Sequence, residues 1–468
     1  MKNTLAFICL VLSCCAGASA VELKTGAHIH TEFSHGDKQT VEQILQRARE
    51  KGLDAVLLTD TAIAEFQYGV RPFENVLKVS GAQKSILKKG PRKYLKTINK
   101  MRAQYPDLLI VPGTEAAAFY RWEGDPFRKL IMKDWHRHML IFGLEKPSDY
   151  SNLPVMGNSR SYPWDWRFLA AALALALILW RSWRHLGRKS RIAAAVAGAL
   201  GFFLLYPFAT PRWSVYSEAT PWEPYRALAA YAHEKGALAF WAHPEAPNWL
   251  QPHKVAGPLH VAADMYPEGL EQVPDIDGFA VFMEGYKQML QPGGQWDSAL
   301  AAYVSGKRSS PPWAIAELDY VAPGYMGTDI DSSYMLVNAE SKTAQSLLKA
   351  MKQGAFQSVM GSDTGAMRLS QWELRAPNGA AAYAGEELAL PGQAVVGVGL
   401  EKSSGTMTGA ELAVVCDGNV VFRQRLEFPA RASVNFAPRL ERGYCRAYAV
   451  YINSMVSSNP IFYRRSVK

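Results

Sequence analysis

Cysteine is scarce in this chain of 468 residues, and three of its five cysteines lie within the first 15 positions. Those positions belong to a lysine-bearing, apolar start that ends at Ala18-Ser19-Ala20, which is typical of a secretion signal. We predict that residues 1–20 are a cleaved signal peptide, with a lipoprotein box before Cys14 as the alternative. Only Cys416 and Cys445 then remain, as one disulfide or as two free core thiols.

Two groups of recognition motifs are also missing. The sequence contains no Gly-rich phosphate loop and no motif that reads nucleic-acid bases. We therefore expect no nucleic-acid partner. The substrate class is left open by the same absence.

Acidic residues are absent from two strongly basic stretches, although the net charge of the whole chain is only +9. The first stretch, Lys78 to Arg102, contains nine Lys and Arg residues. It predicts either a face toward anionic groups or a solvated helix. The second, RSWRHLGRKSR, separates the apolar runs 167–180 and 192–208. Because its turn is basic, we predict a transmembrane helical hairpin over residues 161–210, with a buried or interfacial hairpin as the alternative.

Strands and helices alternate along most of the remaining chain. Strand-like segments such as LKTGAHIH, DAVLLTD and ALAFWAHP are separated by segments with helical spacing of apolar residues. This alternation predicts a mostly parallel α/β sheet, either a closed barrel or an open sheet. We predict that its first part spans residues 21–160 and its second part residues 211–355.

The pattern changes after Gly354. Short alternating runs are separated by Gly-rich turns, and Asp417-Gly418 marks a hairpin. We predict an all-β, sandwich-like domain over residues 356–468.

Polar side chains cluster at the predicted strand ends. Because the C-terminal ends of parallel strands meet at one mouth of a barrel, residues almost 300 positions apart can come together there. Imidazoles and carboxylates gathered in this way predict a metal site. The candidates are His28, His30, Asp60, Glu115, His138, His243 and Asp319. His138 is the exception, because it begins its strand.

The order of these segments resembles the PHP (polymerase and histidinol phosphatase) superfamily of metal-dependent phosphoesterases. The similar motifs are HIHTEFSHG, LLTDT, VPGTE, HMLIFG, FWAHP and AELDY. The resemblance covers residues 23–355 apart from the inserted hairpin. It implies a distorted (β/α)7 TIM-like barrel and a site for up to three metals.

Carried over by position, the resemblance implies two metal ions, which we expect to be zinc, manganese or iron. One ion would be held by His28, His30, Glu115 and Asp319. The other would share Glu115 and add His138 and His243. We assign Glu115 and Asp60 as the catalytic carboxylates.

A third metal is not expected. The three positions that hold it in the family carry His35, Thr61 and Val321 in this chain, so two of its ligands are missing. Two alternatives stay open in the remaining site. Asp363 of GSDTG competes with Asp319 as the last ligand, and His136 competes with His138.

These features predict a phosphoesterase anchored in the bacterial inner membrane, with the barrel and the C-terminal domain facing the periplasm. Its partners would be membrane lipid and a small-molecule or envelope phosphate ester. The alternative is an inactive metal-binding sensor or scaffold of the envelope, which the missing third-site ligands favour.

Overall fold

The computed structural model describes residues 20–34, 39–63, 65–217, 221–282 and 285–466. The predicted signal peptide, apart from Ala20, lies outside the described residues, as does His35. The described chain is a mixed α/β fold in which strands outnumber helices.

The strands up to residue 360 include all those that carry predicted site residues. They are β1 (Val21–Ile29), β2 (Ala55–Leu58), β3 (Glu65–Gly69), β4 (Lys78–Ala82), β5 (Leu109–Val111), β6 (Gly113–Ala117), β7 (Arg121–Asp125), β8 (Lys129–Lys133), β9 (His138–Phe142), β10 (Leu238–Trp241), β11 (His253–Ala256), β12 (Leu259–Ala262), β13 (Gly278–Ala280), β14 (Trp313–Ile315), β15 (Ser333–Ala339) and β16 (Phe356–Met360).

The helices lie between these strands along the chain. They are α1 (Val41–Glu50), α2 (Ile86–Lys89), α3 (Pro91–Gln104), α4 (Pro147–Ser151), α5 (Trp166–Ser182), α6 (Arg188–Leu205), α7 (Glu223–Glu234), α8 (Gly269–Gln272), α9 (Gln295–Val304) and α10 (Ala344–Gln353). In α1, a capping box between Thr40 and Gln43 satisfies backbone N–H groups of the first turn. Its apolar side chains are buried against the sheet.

The sheet is mixed rather than mostly parallel. Strands β1, β2 and β5 are parallel neighbours, and so are β10, β13 and β14. Strand β9, however, runs antiparallel to both β6 and β10. Isolated bridges, Ile29 to Tyr320 and Thr61 to Glu115, connect the two groups of strands.

The predicted closed barrel is therefore not formed as one hydrogen-bonded sheet. In the part of the chain that the structure describes, β1, β2 and β5 belong to one sheet and β6, β9, β10, β13 and β14 to another. The expectation of a mostly parallel sheet fails because β9 runs antiparallel to β6 and β10, and β15 runs antiparallel to β1 and β16. The physical consequence is that the start of β9 lies beside the ends of its neighbours.

The C-terminal segment is all-β, as the sequence pattern predicts. Its strands are β17 (Met367–Arg375), β18 (Ala381–Ala382), β19 (Glu387–Leu390), β20 (Ala394–Lys402), β21 (Gly409–Cys416), β22 (Asn419–Glu427), β23 (Ala430–Phe436), β24 (Arg442–Tyr451), β25 (Ser454–Ser458) and β26 (Ile461–Arg465). Strand β25 pairs with β16, so the sheet of β1, β15 and β16 continues into this segment.

Cys416 and Cys445 are opposite residues of the neighbouring strands β21 and β24, and their sulfur atoms are bonded. This confirms the predicted disulfide and removes the alternative of two free thiols.

Helices α5 and α6 form a hairpin whose apolar side chains are mostly exposed. Leu173, Ile178 and Ile192 are each about 60% exposed, and the helices pack against each other. Residues Trp166–His185 are long and apolar enough to cross a membrane, with a mean hydropathy of 1.3, whereas α6 does not meet the same criterion. Membrane crossing by the hairpin therefore stays a prediction.

A buried ion pair joins the C-terminal segment to the rest of the fold. Arg446 of β24 is fully buried and donates to both carboxylate oxygens of Asp297 in α9, at 2.8 and 2.7 Å. The guanidinium also lies 4.9 Å from the ring centre of Trp296. Removing one partner would leave the other charge buried and unpaired.

We predict that Arg446→Met lowers the free energy of unfolding by about 3–5 kcal/mol, because Asp297 would stay buried without its cation. Thermal unfolding of the purified protein measures the effect. Arg464→Met is the matched control, since Arg464 forms a salt bridge with Glu387 but its side chain is 64% exposed. Equal unfolding temperatures for the two variants would contradict the prediction.

Candidate metal centre

The six predicted ligands come together in the structure. His28 and His30 lie at and just after the end of β1, Glu115 lies in β6, and Asp319 follows β14. His138 begins β9, and His243 follows β10. Their side chains form two adjacent groups that meet at Glu115. We name these the first and second ligand groups.

The first ligand group contains His28, His30, Glu115 and Asp319. Nε2 of His28 lies 3.3 Å from Oε1 of Glu115 and 3.6 Å from Oδ1 of Asp319. Nε2 of His30 lies 3.1 Å from Oδ1 of Asp319 and 3.6 Å from Oε2 of Glu115. Two imidazoles and two carboxylates thus face one another across a small buried space.

The second ligand group contains Glu115, His138 and His243. Nδ1 of His138 lies 2.6 Å from Oε1 of Glu115, and Nε2 of His243 lies 3.4 Å from the same oxygen. The two imidazole nitrogens are 3.3 Å apart. Glu115 therefore contacts histidines of both groups, which is the position expected of a bridging carboxylate.

The reversed direction of β9 explains why His138 reaches the site. In the antiparallel pair of β6 and β9, His138 is opposite Ala117, at the end of β6. In the pair with β10, Met139 is opposite Trp241, two residues before His243. The start of β9 therefore lies at the same edge as the ends of the parallel strands.

Three of the candidate ligands have strained backbone conformations. His28, His243 and Asp319 have φ angles of 59°, 29° and 48°, which L-residues seldom adopt. Each such residue costs on the order of 1–3 kcal/mol, and strain of this kind clusters at functional sites. At His28 the strain accompanies a bulge in the pairing of β1 with β2. Strand alternation alone therefore does not explain how His28 and His30 share a face.

Glu317 is a site residue that the sequence analysis missed. Its Oε2 accepts a hydrogen bond from Nδ1 of His28 at 2.6 Å, and its Oε1 accepts one from the backbone N–H of His243 at 2.8 Å. The side chain is buried. Because Nδ1 of His28 is bound to Glu317, the ring is fixed with Nε2 facing the first ligand group, where it could bind an ion. The available signal was AELD, in which Glu317 stands two residues before Asp319.

Asp60 is hydrogen-bonded to the turn that carries His30. Its Oδ1 accepts from the backbone N–H of Thr31 and the hydroxyl of Ser34, each at 2.7 Å, and its Oδ2 accepts from the hydroxyl of Thr31 at 2.7 Å. The Ser34 hydroxyl is in turn 3.0 Å from Nδ1 of His30. Both oxygens of Asp60 thus help to fix the turn that positions His30, and its catalytic role stays a prediction.

His138 is oriented by a backbone carbonyl. Its Nε2 is 3.1 Å from the carbonyl oxygen of Trp135, which can only accept a hydrogen bond. Nε2 therefore donates to that carbonyl, and Nδ1 is the nitrogen that faces Glu115 and could bind an ion. Three imidazoles of the site thus have their outer nitrogen held by an oxygen-bearing partner, as metal-ligating histidines usually do.

The charge of the site fits bound cations. Glu115, Glu317 and Asp319 form their ion pairs, within the described residues, with histidines. Burial raises the pKa of Glu115, but the charge of His138 and hydrogen bonds from the imidazoles hold it well below its usual range. Burial lowers the pKa of His28, but Glu317 and Asp319 more than offset this and hold it well above its usual range. An ionised carboxylate as deeply buried as that of Glu115 requires positive charge nearby.

The surroundings of one nitrogen atom, Nε2 of His28, also fit a bound cation. Nε2 of His28 is buried and makes no hydrogen bond with a described residue, although two carboxylates are close to it. Buried imidazole nitrogens with no hydrogen bond are uncommon unless another ligand takes the lone pair. The donor set of imidazoles and carboxylates suits zinc, manganese or iron.

The open alternatives can now be placed. Asp363 is exposed in a separate groove that Lys24 and Arg368 also line, so the geometry favours Asp319 as the last ligand. His136 lies beside His138 and does not replace it. At the third-metal positions, the hydroxyl of Thr61 is 3.5 Å from Oε2 of Glu115, and Val321 is buried.

Comparisons with known proteins do not establish a family for this chain. No protein-family model matches the chain, and no curated protein matches it. Among solved structures, it is similar to a two-domain protein from Bacteroides vulgatus that contains a predicted PHP-like metal-dependent phosphoesterase. The TM-score is 0.39 at 12% identity, over 93% of this chain and 92% of that one. A proposed metal-dependent phosphoesterase from Bifidobacterium adolescentis gives a TM-score of 0.29 at 16% identity, over 65% and 90% of the two chains.

Basic side chains on and around β7 to β9 are paired with another carboxylate or exposed to solvent. Arg121 and Arg137 both form salt bridges with the buried Asp134. Lys129 is exposed at the start of β8. None of the three forms an ion pair with a carboxylate of the ligand groups in the described chain.

We predict that Glu317→Gln weakens metal binding by about 10- to 100-fold, as is typical when the hydrogen-bond partner of a ligating histidine is lost. Glutamine offers one acceptor oxygen, whereas Glu317 serves two donors. Competition with a chelator measures the affinity. Glu340→Gln is the control, because its side chain is 70% exposed and salt-bridged only to Lys349. Unchanged affinity in Glu317→Gln would refute the assignment.

Proposed function

We propose that this chain is a metal-dependent phosphoesterase with two divalent ions, held in a distorted barrel that faces the periplasm. The observation that carries the proposal is the position of Glu115 between two groups of buried imidazoles. The motif order of the sequence supports the same reaction class. The ions would be zinc, manganese or iron.

Each of the two ions would have its own set of ligands. His28, His30 and Asp319 would hold one ion, His138 and His243 the other, and Glu115 would hold both side by side. Two such ions lower the pKa of a water molecule and neutralise charge on the oxygens of a phosphate ester. Glu317 keeps the proton on Nδ1 of His28, so that this imidazole binds through Nε2.

An alternative function is an inactive metal-binding scaffold or sensor of the envelope. The observation that favours it is the chemistry at the third-metal positions, where Thr61 and the buried Val321 replace histidines of the family pattern. The same substitutions are compatible with an enzyme that uses two ions, because two are sufficient for attack on phosphorus and departure of the leaving oxygen.

We predict that Glu115→Gln removes metal and hydrolysis together, because a bridging carboxylate serves both ions. Metal content and activity on a panel of phosphate monoesters and diesters are the measurements. Asp363→Asn is the matched control, since Asp363 is exposed outside the ligand groups and should leave both properties unchanged. Full activity of Glu115→Gln would rule out the proposed site.

The scaffold alternative has its own decisive outcome in that assay. It holds if the unmodified protein is inert toward the whole panel while the double variant Thr61→His, Val321→His hydrolyses one of its members. Activity of the unmodified protein supports the enzyme.

The proposed location is the bacterial inner membrane. The signal-like start, the basic turn between α5 and α6, the exposed apolar surface of the hairpin and the disulfide support it. Membrane lipid would be one partner, and the substrate would be a small-molecule or envelope phosphate ester.

We predict that reporter fusions place the N-terminal region and the C-terminus outside the cytoplasm, and residues 184–190 inside. A hairpin crosses the membrane twice, so the segments on either side of it lie in the same compartment. Reporters that are active only in the periplasm or only in the cytoplasm distinguish the two sides. A cytoplasmic C-terminus would overturn the proposed topology.

A further inference from the structure

His136 lies next to the second ligand group. Its position does not follow from the alternation of side chains along a strand. It lies in the turn between β8 and β9, not in β9 itself. One ligand atom each of His136, His138 and His243 lies within 4.8 Å of the others. The ring centres of His136 and His243 are 4.2 Å apart, and those of His136 and His138 are 5.0 Å apart.

A buried charge network fixes the turn that carries His136. Asp134 has a φ angle of 62°, and its backbone N–H donates to the carbonyl oxygen of Ala262 at 3.1 Å. Its carboxylate binds Nε of Arg121 and Nη2 of Arg137, each at 3.1 Å. Arg137 also stacks over Trp222. The turn is therefore held on both sides of His136, which reduces the entropy that this side chain loses when it binds a ligand.

Two tryptophan rings pack against the imidazole of His136. Trp135 and Trp249 contact each other at 4.8 Å between ring centres, and His136 lies 5.2 and 5.7 Å from them. In the described part of the chain, neither ring nitrogen of His136 has a hydrogen-bond partner among the protein atoms. A half-buried imidazole beside two metal-ligating histidines thus keeps a nitrogen available.

We propose that His136 is a third imidazole ligand in the second ligand group, so that its ion is bound by His136, His138, His243 and the shared Glu115. This inference rests on the proposed two-metal function and names a ligand that the motif pattern does not include. Three imidazoles and one carboxylate make four protein ligands, and the five-coordinate geometry that zinc can adopt would leave one position for water.

The two ligand groups would then differ in chemistry. The first has two imidazoles and two carboxylates, a mixed donor set that accepts several metals. The second has three imidazoles and one carboxylate. Because imidazole-rich sites suit zinc and carboxylate-rich sites suit manganese, the second ligand group selects Zn²⁺ over Mn²⁺ more strongly than the first does.

The test compares zinc binding by the full-length protein and its His136→Phe variant. Phenylalanine keeps an aromatic ring against His243 and Trp249 but has no nitrogen. His260→Phe is the matched control, because His260 lies in β12 and Nδ1 contacts the carbonyl oxygen of Pro258. His136→Gln is a second variant, smaller and polar, for the case in which phenylalanine prevents folding.

We expect His136→Phe to retain the first ion and to bind the second at least about tenfold more weakly, with the same loss in preference for Zn²⁺ over Mn²⁺. The absorption spectrum of the Co²⁺-loaded protein should change for the second ion, because it reports the number of ligands. The control should match the unmodified protein in both measurements.

Two other outcomes distinguish failure of the His136 proposal from failure of the proposed two-metal function. If His136→Phe and His136→Gln bind two ions with unchanged affinity and an unchanged Co²⁺ spectrum, His136 only packs against its neighbours and the inference is wrong. If the unmodified protein itself does not bind a second ion, the proposed two-metal function falls and this inference falls with it.

Discussion

The structure of the candidate site depends on one buried carboxylate, that of Glu115. Histidines from β1, β9 and the segment after β10 approach its two oxygens, so it connects elements that belong to two different sheets. Burial opposes its ionisation, and the surrounding imidazoles more than compensate. Divalent cations would supply the same compensation without protonating the imidazoles. The positioning roles of Glu317 and Asp60 follow from this constraint, because each fixes an imidazole that faces the carboxylate.

The cost of assembling the site is paid in backbone conformation. His28, His243 and Asp319 have positive φ angles, and they come from three separate strand ends. If these conformations had no function, a few substitutions would be enough to remove the strain. Strain at three ligands supports the view that the arrangement is selected for binding rather than for packing.

The sequence predicted which candidate ligands come together, but it did not predict their surroundings. Motif order and strand ends placed His28, His30, Glu115, His243 and Asp319 at one edge, because parallel strands end together. The direction of β9 could not be read from its composition, since apolar strands look alike in both directions, and His138 therefore seemed out of place. Glu317 was not predicted as a site residue, whereas Asp60 was predicted to be catalytic but binds the turn that carries His30. Hydrogen-bond partners that are distant in sequence decide which carboxylate faces the site. The two sheets are connected by pairings of single residues, such as Ile29 with Tyr320, which carry no sequence pattern.

The central claim is that two ions lie on either side of Glu115. X-ray diffraction from crystals of the metal-loaded protein, measured at the absorption edge of the bound metal, tests it most directly. The account predicts two anomalous peaks about 3.5–4 Å apart, the usual separation in two-metal sites, with the Glu115 carboxylate between them. A single peak, or two peaks of which neither contacts Glu115, would contradict it.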